Sequence, residues 1–247
     1  MSRLQGQAVE IPCDVSGAYL YSTERYRWLC KPKDAVQAVI DLHAPERLFL
    51  ENHRAMAYAS ALVPTLSSVL DLGTGGGGFV RHFRHHYHDA VIRSVEASSA
   101  MVRLAERYFE IAPAAIIQER AQTFLARDQS HYDFISCDLF DGREAPADLF
   151  TVGFYEALAN KLTSDGVLTL NLLPESEAQA LQLLATVRAV FSGIGVLQFS
   201  ELGNLVLVLC NAPLARLADR EQALIASPYA RNGEALHFAS ELHVLPS

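Results

Sequence analysis

No Cys-x-x-Cys pair occurs in this chain, and its four cysteines, Cys13, Cys30, Cys137 and Cys210, stand far apart. Such spacing offers neither a zinc ligand set nor a disulfide framework, so reduced thiols in a cytoplasmic setting are expected. Also missing are a run of 18 apolar residues and an apolar segment near the N-terminus. Neither a membrane-spanning helix nor a secretory signal is predicted, and no membrane partner is expected. Gly-x-Ser-x-Gly and His-Glu-x-x-His are absent, which removes two common hydrolase signatures. Positive charge is scarce: 20 Lys+Arg face 28 Asp+Glu, a net charge of −8. Nucleic-acid binding needs a basic face and is not expected. The one basic and aromatic stretch, residues 25–33, reads as a solvated strand edge.

What is present is apolar: half of the 247 residues are hydrophobic and 19% are charged, enough for a sizeable core. Residues 7–30 read as short strands, and residues 46–63 as a helix ended by Pro64. A regular alternation follows. Strands are predicted at 67–73, 90–97, 114–119, 132–139 and 166–173, with helices at 77–87, 98–109, 120–127 and 148–162. A further helix begins near Glu175. An antiparallel hairpin then turns at Gly203-Asn204, which permit the positive φ of a two-residue turn. The fold class expected is α/β: a seven-strand, mostly parallel, doubly wound sheet of Rossmann-like type. It carries an antiparallel C-terminal hairpin and a short N-terminal β appendage. The predicted division is a β appendage over 1–45, a nucleoside-binding unit over 46–212, and a C-terminal helix and tail over 213–247.

The apolar run Val69–Leu72 stops at a turn holding Gly73, Gly75, Gly76, Gly77 and Gly78. A glycine turn between strand and helix lets a ligand reach main-chain N–H groups at the positive end of the helix dipole. Glu96 ends the next strand, where a carboxylate can accept both ribose hydroxyls of a nucleoside. The glycines also fit the dinucleotide pattern. The strand order with its terminal hairpin, and Asp71 two residues before the first glycine, favour the S-adenosylmethionine fold instead. His82, His85, His86 and His88 cluster near a helix end, but with no acid close except Asp89 they read as a solvated helix end, and no metal is expected. Met101, Leu104 and Ala105 have the spacing of core residues. Trp28 reads as packing and Asp133 as structural.

The segments "VLDLGTGGGG", "SVEASSAMVRLAERYF", "YDFISCDLFDG", "LFTVGFYEALANKL" and "DGVLTLNLL" resemble the spermidine synthase (polyamine synthase) family, in particular its small bacterial members. The resemblance runs from about Arg27 to Leu173. It implies aminopropyl transfer to a small-molecule amine. The co-substrate is decarboxylated S-adenosylmethionine, or S-adenosylmethionine itself, and a homodimer is implied. By resemblance, Asp138 orients or deprotonates the amine and Asp141 holds the substrate. Gln37, Asp71, Gly73, Gly75, Gly76, Glu96 and Arg120 fall at the cofactor-binding positions. The chain departs from the family at three places. Gly76 replaces an Asp that binds the aminopropyl ammonium. Arg120 replaces an Asp that accepts from the adenine amino group. Asn52-His53-Arg54 stands where the family has Tyr-His-Glu. Two alternatives therefore stay open: an S-adenosylmethionine-dependent methyltransferase, and a non-catalytic relative used for interaction or nucleoside sensing.

Overall fold

The computed structural model describes residues 8–13, 15–31, 33, 35–139, 147–199 and 203–246, with the backbone alone at 147 and 148. The chain opens with an antiparallel meander of β1 (Val9–Ile11), β2 (Tyr19–Ser22), β3 (Tyr26–Cys30) and β4 (Val36–Asp41). Alternation decides its two faces. Leu20, Leu29, Ala38 and Ile40 pack on Leu104 and Phe109 of the main body. On the opposite face Trp28 stacks against Tyr21 with ring centroids 5.5 Å apart. The basic aromatic stretch is therefore not a solvated edge. β3 lies between β2 and β4, and Trp28, Leu29 and Cys30 are buried.

The predicted helix of residues 46–63 is shorter: α1 spans Glu51–Tyr58 and tightens into a 3-10 turn at Ala59–Leu62. Then come β5 (Ser68–Leu72), α2 (Gly78–His86), β6 (Val91–Glu96), α3 (Ser99–Tyr108), β7 (Ile117–Gln118), α4 (Ala121–Arg127) and β8 (Tyr132–Cys137). β7 is far shorter than expected, because Ala114 sits at φ +61 and residues 112–115 are spent on a turn. α5 (Val152–Ala159) leads into β9 (Leu162–Leu172), which starts early and is bulged against β8. α6 (Glu177–Arg188), β10 (Gly193–Phe199) and β11 (Asn204–Cys210) follow. Phe199 pairs with Asn204, so the connection is longer than two residues and Asn204 belongs to the ladder, not to the turn.

The C-terminal stretch holds two helices and a strand where one helix and a tail are predicted: α7 (Leu217–Ala226), α8 (Gly233–Glu241) and β12 (His243–Val244). β12 pairs with β10, extending the sheet to eight strands in the order β12-β10-β11-β9-β8-β5-β6-β7. β5 through β9 pair in parallel, whereas β10, β11 and β12 join antiparallel. Apolar residues on both sheet faces are covered, as a doubly wound sheet requires. The chain leaves β5 first toward β6 and later toward β8. The carboxyl ends of β5, β6 and β8 thus face the crevice where such sheets bind ligands. Among the described residues no helix is long and apolar enough to cross a membrane.

Asp133 supports the opposite edge of this layer. Its carboxylate accepts from the Ser67 and Ser68 amides at 2.9 and 3.0 Å and from Thr163 Oγ1 at 3.1 Å. Removing it strands these donors. Asp133→Ala is expected to lower the unfolding free energy by about 1–3 kcal/mol in urea titrations.

Candidate functional site

The glycine turn is built by conformation and by crowding. Gly73, Gly75 and Gly77 have φ of +86, +53 and +72, values that favour glycine. A side chain at Gly73 would overlap the carbonyl oxygen of Asp138, and one at Gly76 would come within 2.5 Å of the Ala38 methyl on β4. Behind the turn lies Arg81 of α2. It donates through Nε to Pro45 O (2.8 Å) and through Nη1 to Gly76 O (2.7 Å) and Phe109 O (2.5 Å). Burial pushes its pKa down to about 10, which leaves it cationic at neutral pH.

Glu96 ends β6 beside this turn. The Gly75 amide donates to Oε2 at 3.1 Å and the Ser98 amide to Oε1 at 2.8 Å. Each oxygen still has a second lone pair for a hydroxyl. Gln37, Gly73, Gly75, Gly76, Glu96, Arg120 and Asp138 all line one crevice of about 2260 Å³. Most small-molecule sites are about 300–1,000 Å³, so there is room here for a nucleoside and a second substrate. Arg120 enters from the position just before α4, and Met101 also reaches the crevice wall, while Leu104 and Ala105 are buried.

Asp71 does not line the crevice. It is wholly buried under the turn, accepting from Ser94 Oγ of β6 (2.7 Å) and Ser136 Oγ of β8 (2.9 Å). Its place is that of a strut across three strands, not that of a ligand contact. Asp141 lies outside the described residues. Asp138 is fixed on both oxygens: His53 Nε2 is 2.8 Å from Oδ2, and Asn171 Nδ2 donates to Oδ1 at 2.8 Å. Asn204 Nδ2 in turn donates to Asn171 Oδ1 at 2.9 Å. Residue types and spacing do not single out His53, Asn171 or Asn204. A sequence signal exists only for His53, through the family stretch it occupies.

The histidine cluster is not a solvated helix end throughout. His82 is buried, with Nδ1 2.9 Å from Glu46 O and Nε2 2.9 Å from Tyr229 Oη. Burial pushes its pKa down to about 3, so the ring is neutral. The carbonyl can only accept, so Nδ1 carries the proton and Nε2 accepts from the tyrosine. Among the described residues no group of three His, Cys, Asp or Glu is placed to hold a metal ion.

A family model described as the spermine/spermidine synthase domain matches residues 51–198, more than half of the chain. The polyamine aminopropyltransferase of Chromobacterium violaceum is 26% identical over 142 residues, which is 56% of this chain and 54% of that protein. The chain thus spans about half the length of that curated relative. The crystal structure of a probable spermidine synthase from Corynebacterium glutamicum superposes with a TM-score of 0.75 at 19% identity, covering 98% of this chain and 97% of that one. Human methyltransferase-like protein 13 in complex with SAH gives a TM-score of 0.64 at 24% identity, covering 72% of this chain and 92% of that one. At these identities the two structures show the fold alone.

Burial raises the Asp71 carboxyl to about 6, against 3.8 for the unfolded chain, with the two serine bonds opposing the rise. Below the lower value both states hold the proton. Between the two values only the folded state holds it, so stability falls as pH rises through that window. Asp71→Asn has no such proton, and a serine hydroxyl can rotate to accept from its amide. Relative to the parent, the variant is expected to gain on the order of 2–3 kcal/mol between about pH 4 and pH 7, read from urea midpoints across that range.

Proposed function

The chain belongs to the spermine/spermidine synthase domain family, and from that premise we propose that it transfers an alkyl group from an adenosyl sulfonium to a small amine. In the family's form, the group is the aminopropyl chain of decarboxylated S-adenosylmethionine. One observation carries the reading: Asp138, fixed by His53 and Asn171, shares a crevice with the glycine turn and Glu96. The turn and Glu96 suit a nucleoside. Asp138 suits a cationic amine brought up beside it. Asp141, from the resemblance, would anchor the far end of the acceptor. A homodimer is carried over from the same resemblance, and a cytoplasmic setting from the scattered cysteines. The transfer itself needs no metal, since the sulfonium leaves as a neutral thioether.

Methyl transfer from ordinary S-adenosylmethionine is a second reading, favoured by one specific observation. The Ala38 methyl fills the space that a carboxylate side chain at position 76 would occupy. With the Arg81 cation behind the turn and the α2 dipole ahead of it, a donor with a carboxylate tail is more at ease there than one with an ammonium tail.

Product analysis separates the two. The protein with a diamine and decarboxylated S-adenosylmethionine is expected to release methylthioadenosine. Release of S-adenosylhomocysteine from ordinary S-adenosylmethionine establishes the second reading instead. If calorimetry detects binding of neither donor nor of methylthioadenosine, both are lost and the non-catalytic role is left. Glu96→Gln keeps only one acceptor oxygen, so nucleoside affinity is expected to fall tenfold or more, about 1–3 kcal/mol. Gly76→Asp alone is expected to lower stability, and Ala38→Gly in the same chain to restore it.

A further inference from the structure

We infer that His53 is the group that takes the proton from the attacking amine, with Asp138 as the residue that sets its tautomer. This deepens the reading of the crevice as an amine-alkylating site and holds for either donor. A protonated amine is no nucleophile, so a base must act before the carbon–sulfur bond breaks. The resemblance places that duty on Asp138. The geometry moves it one residue outward along the hydrogen-bond chain.

His53 lies in the first turn of α1, and its ring packs on Phe79 of α2 with centroids 5.2 Å apart. Its side chain keeps 19% of its surface exposed, and the residue lines the crevice. A carboxylate can only accept, so a proton shared between Asp138 and His53 sits on His53 Nε2. In the neutral ring Nδ1 is then a bare acceptor, and it has no hydrogen-bond partner among the described residues. Asp138 meanwhile accepts on Oδ2 from His53 and on Oδ1 from Asn171. Asn171 is locked in turn by Asn204. The carboxylate is thus held from two elements, the second braced by a third, and has its orientation fixed. A carboxylate that orients an imidazole and steadies the imidazolium it becomes is a recurrent catalytic pair.

The step balances as follows. The ammonium of the acceptor gives one proton to Nδ1. The freed lone pair forms a bond to the carbon next to sulfur, and the carbon–sulfur pair stays on sulfur as a neutral thioether. The product is a charged secondary amine, and the imidazolium faces Asp138 until it returns its proton to water.

His53→Gln retains a donor toward Asp138 but has no base. It is expected to keep donor affinity within about threefold while losing at least a hundredfold in kcat, consistent with the contribution of general bases. His53→Gly is expected to regain at least tenfold of the lost rate when free imidazole is added. A merely structural role would not allow that rescue. Activity of His53→Gln within threefold of the parent overturns the inference, as does loss without rescue when both variants still bind donor. Should the parent transfer nothing from either donor, the reading of the site fails and the pairing is judged by ¹⁵N resonances of the imidazole in the full chain. A proton on Nε2 that shifts or exchanges in Asp138→Asn supports it. A neutral ring protonated on Nδ1 overturns it.

Discussion

Everything at the crevice depends on how closely β5 and β8 finish beside one another. The Gly73 amide donates to Val95 O, the Asp138 amide donates to Leu72 O, and no side chain fits between Gly73 and the Asp138 carbonyl. This approach brings the acid after β8 to the same point as the glycine turn after β5. Beneath it Asp71 bonds one serine on β6 and another on β8, so a single buried carboxyl fastens three adjacent strands. Its ionised form is disfavoured there by burial, yet the position serves the site by fixing the ends of the strands that carry Glu96 and Asp138. A rigid floor of this kind lets a few polar groups be held in place without being gripped by ligand.

How much of this was legible follows the distance over which each signal acts. The glycine turn, Glu96 at the end of the next strand and the acid after β8 are read from periodicity and local spacing, and the parallel sheet follows from them. The partners of Asp138 are not local. His53 is 85 residues away and Asn171 is 33, on elements whose patterns report only burial. His82 has the spacing of an exposed cluster. Spacing cannot say that Tyr229, 147 residues later, covers it. β3 carries charge and aromatics that suit an edge, but its place in the sheet is decided by the strands on either side. The second C-terminal helix did leave a local trace. Asn232 accepts from the Glu234 amide, a capping arrangement that Asn-Gly-Glu can signal.

Two parts of the chain outside the parallel sheet wall the crevice. The N-terminal sheet is held by apolar packing, with Ala38 seated on Gly76, so its position and the shape of the turn are mutually dependent. Enlarging either residue displaces the other, so the sheet that brings Gln37 to the crevice also sets the shape of the glycine turn. The C-terminal helices pack Leu224, Phe238 and Leu242 into one apolar cluster with Met56 and Ala59, and add Arg54–Glu234 at 2.6 Å, with Glu234 60% exposed, and the buried His82–Tyr229 bond. Exposed ion pairs contribute about 0–1 kcal/mol, whereas an unmade bond to a buried hydroxyl costs about 1–3 kcal/mol. The buried pair therefore contributes more to docking the helices than the ion pair does. Arg220 ties the two helices to each other, donating from α7 to the carbonyls of Ala239 and Leu242 around the end of α8.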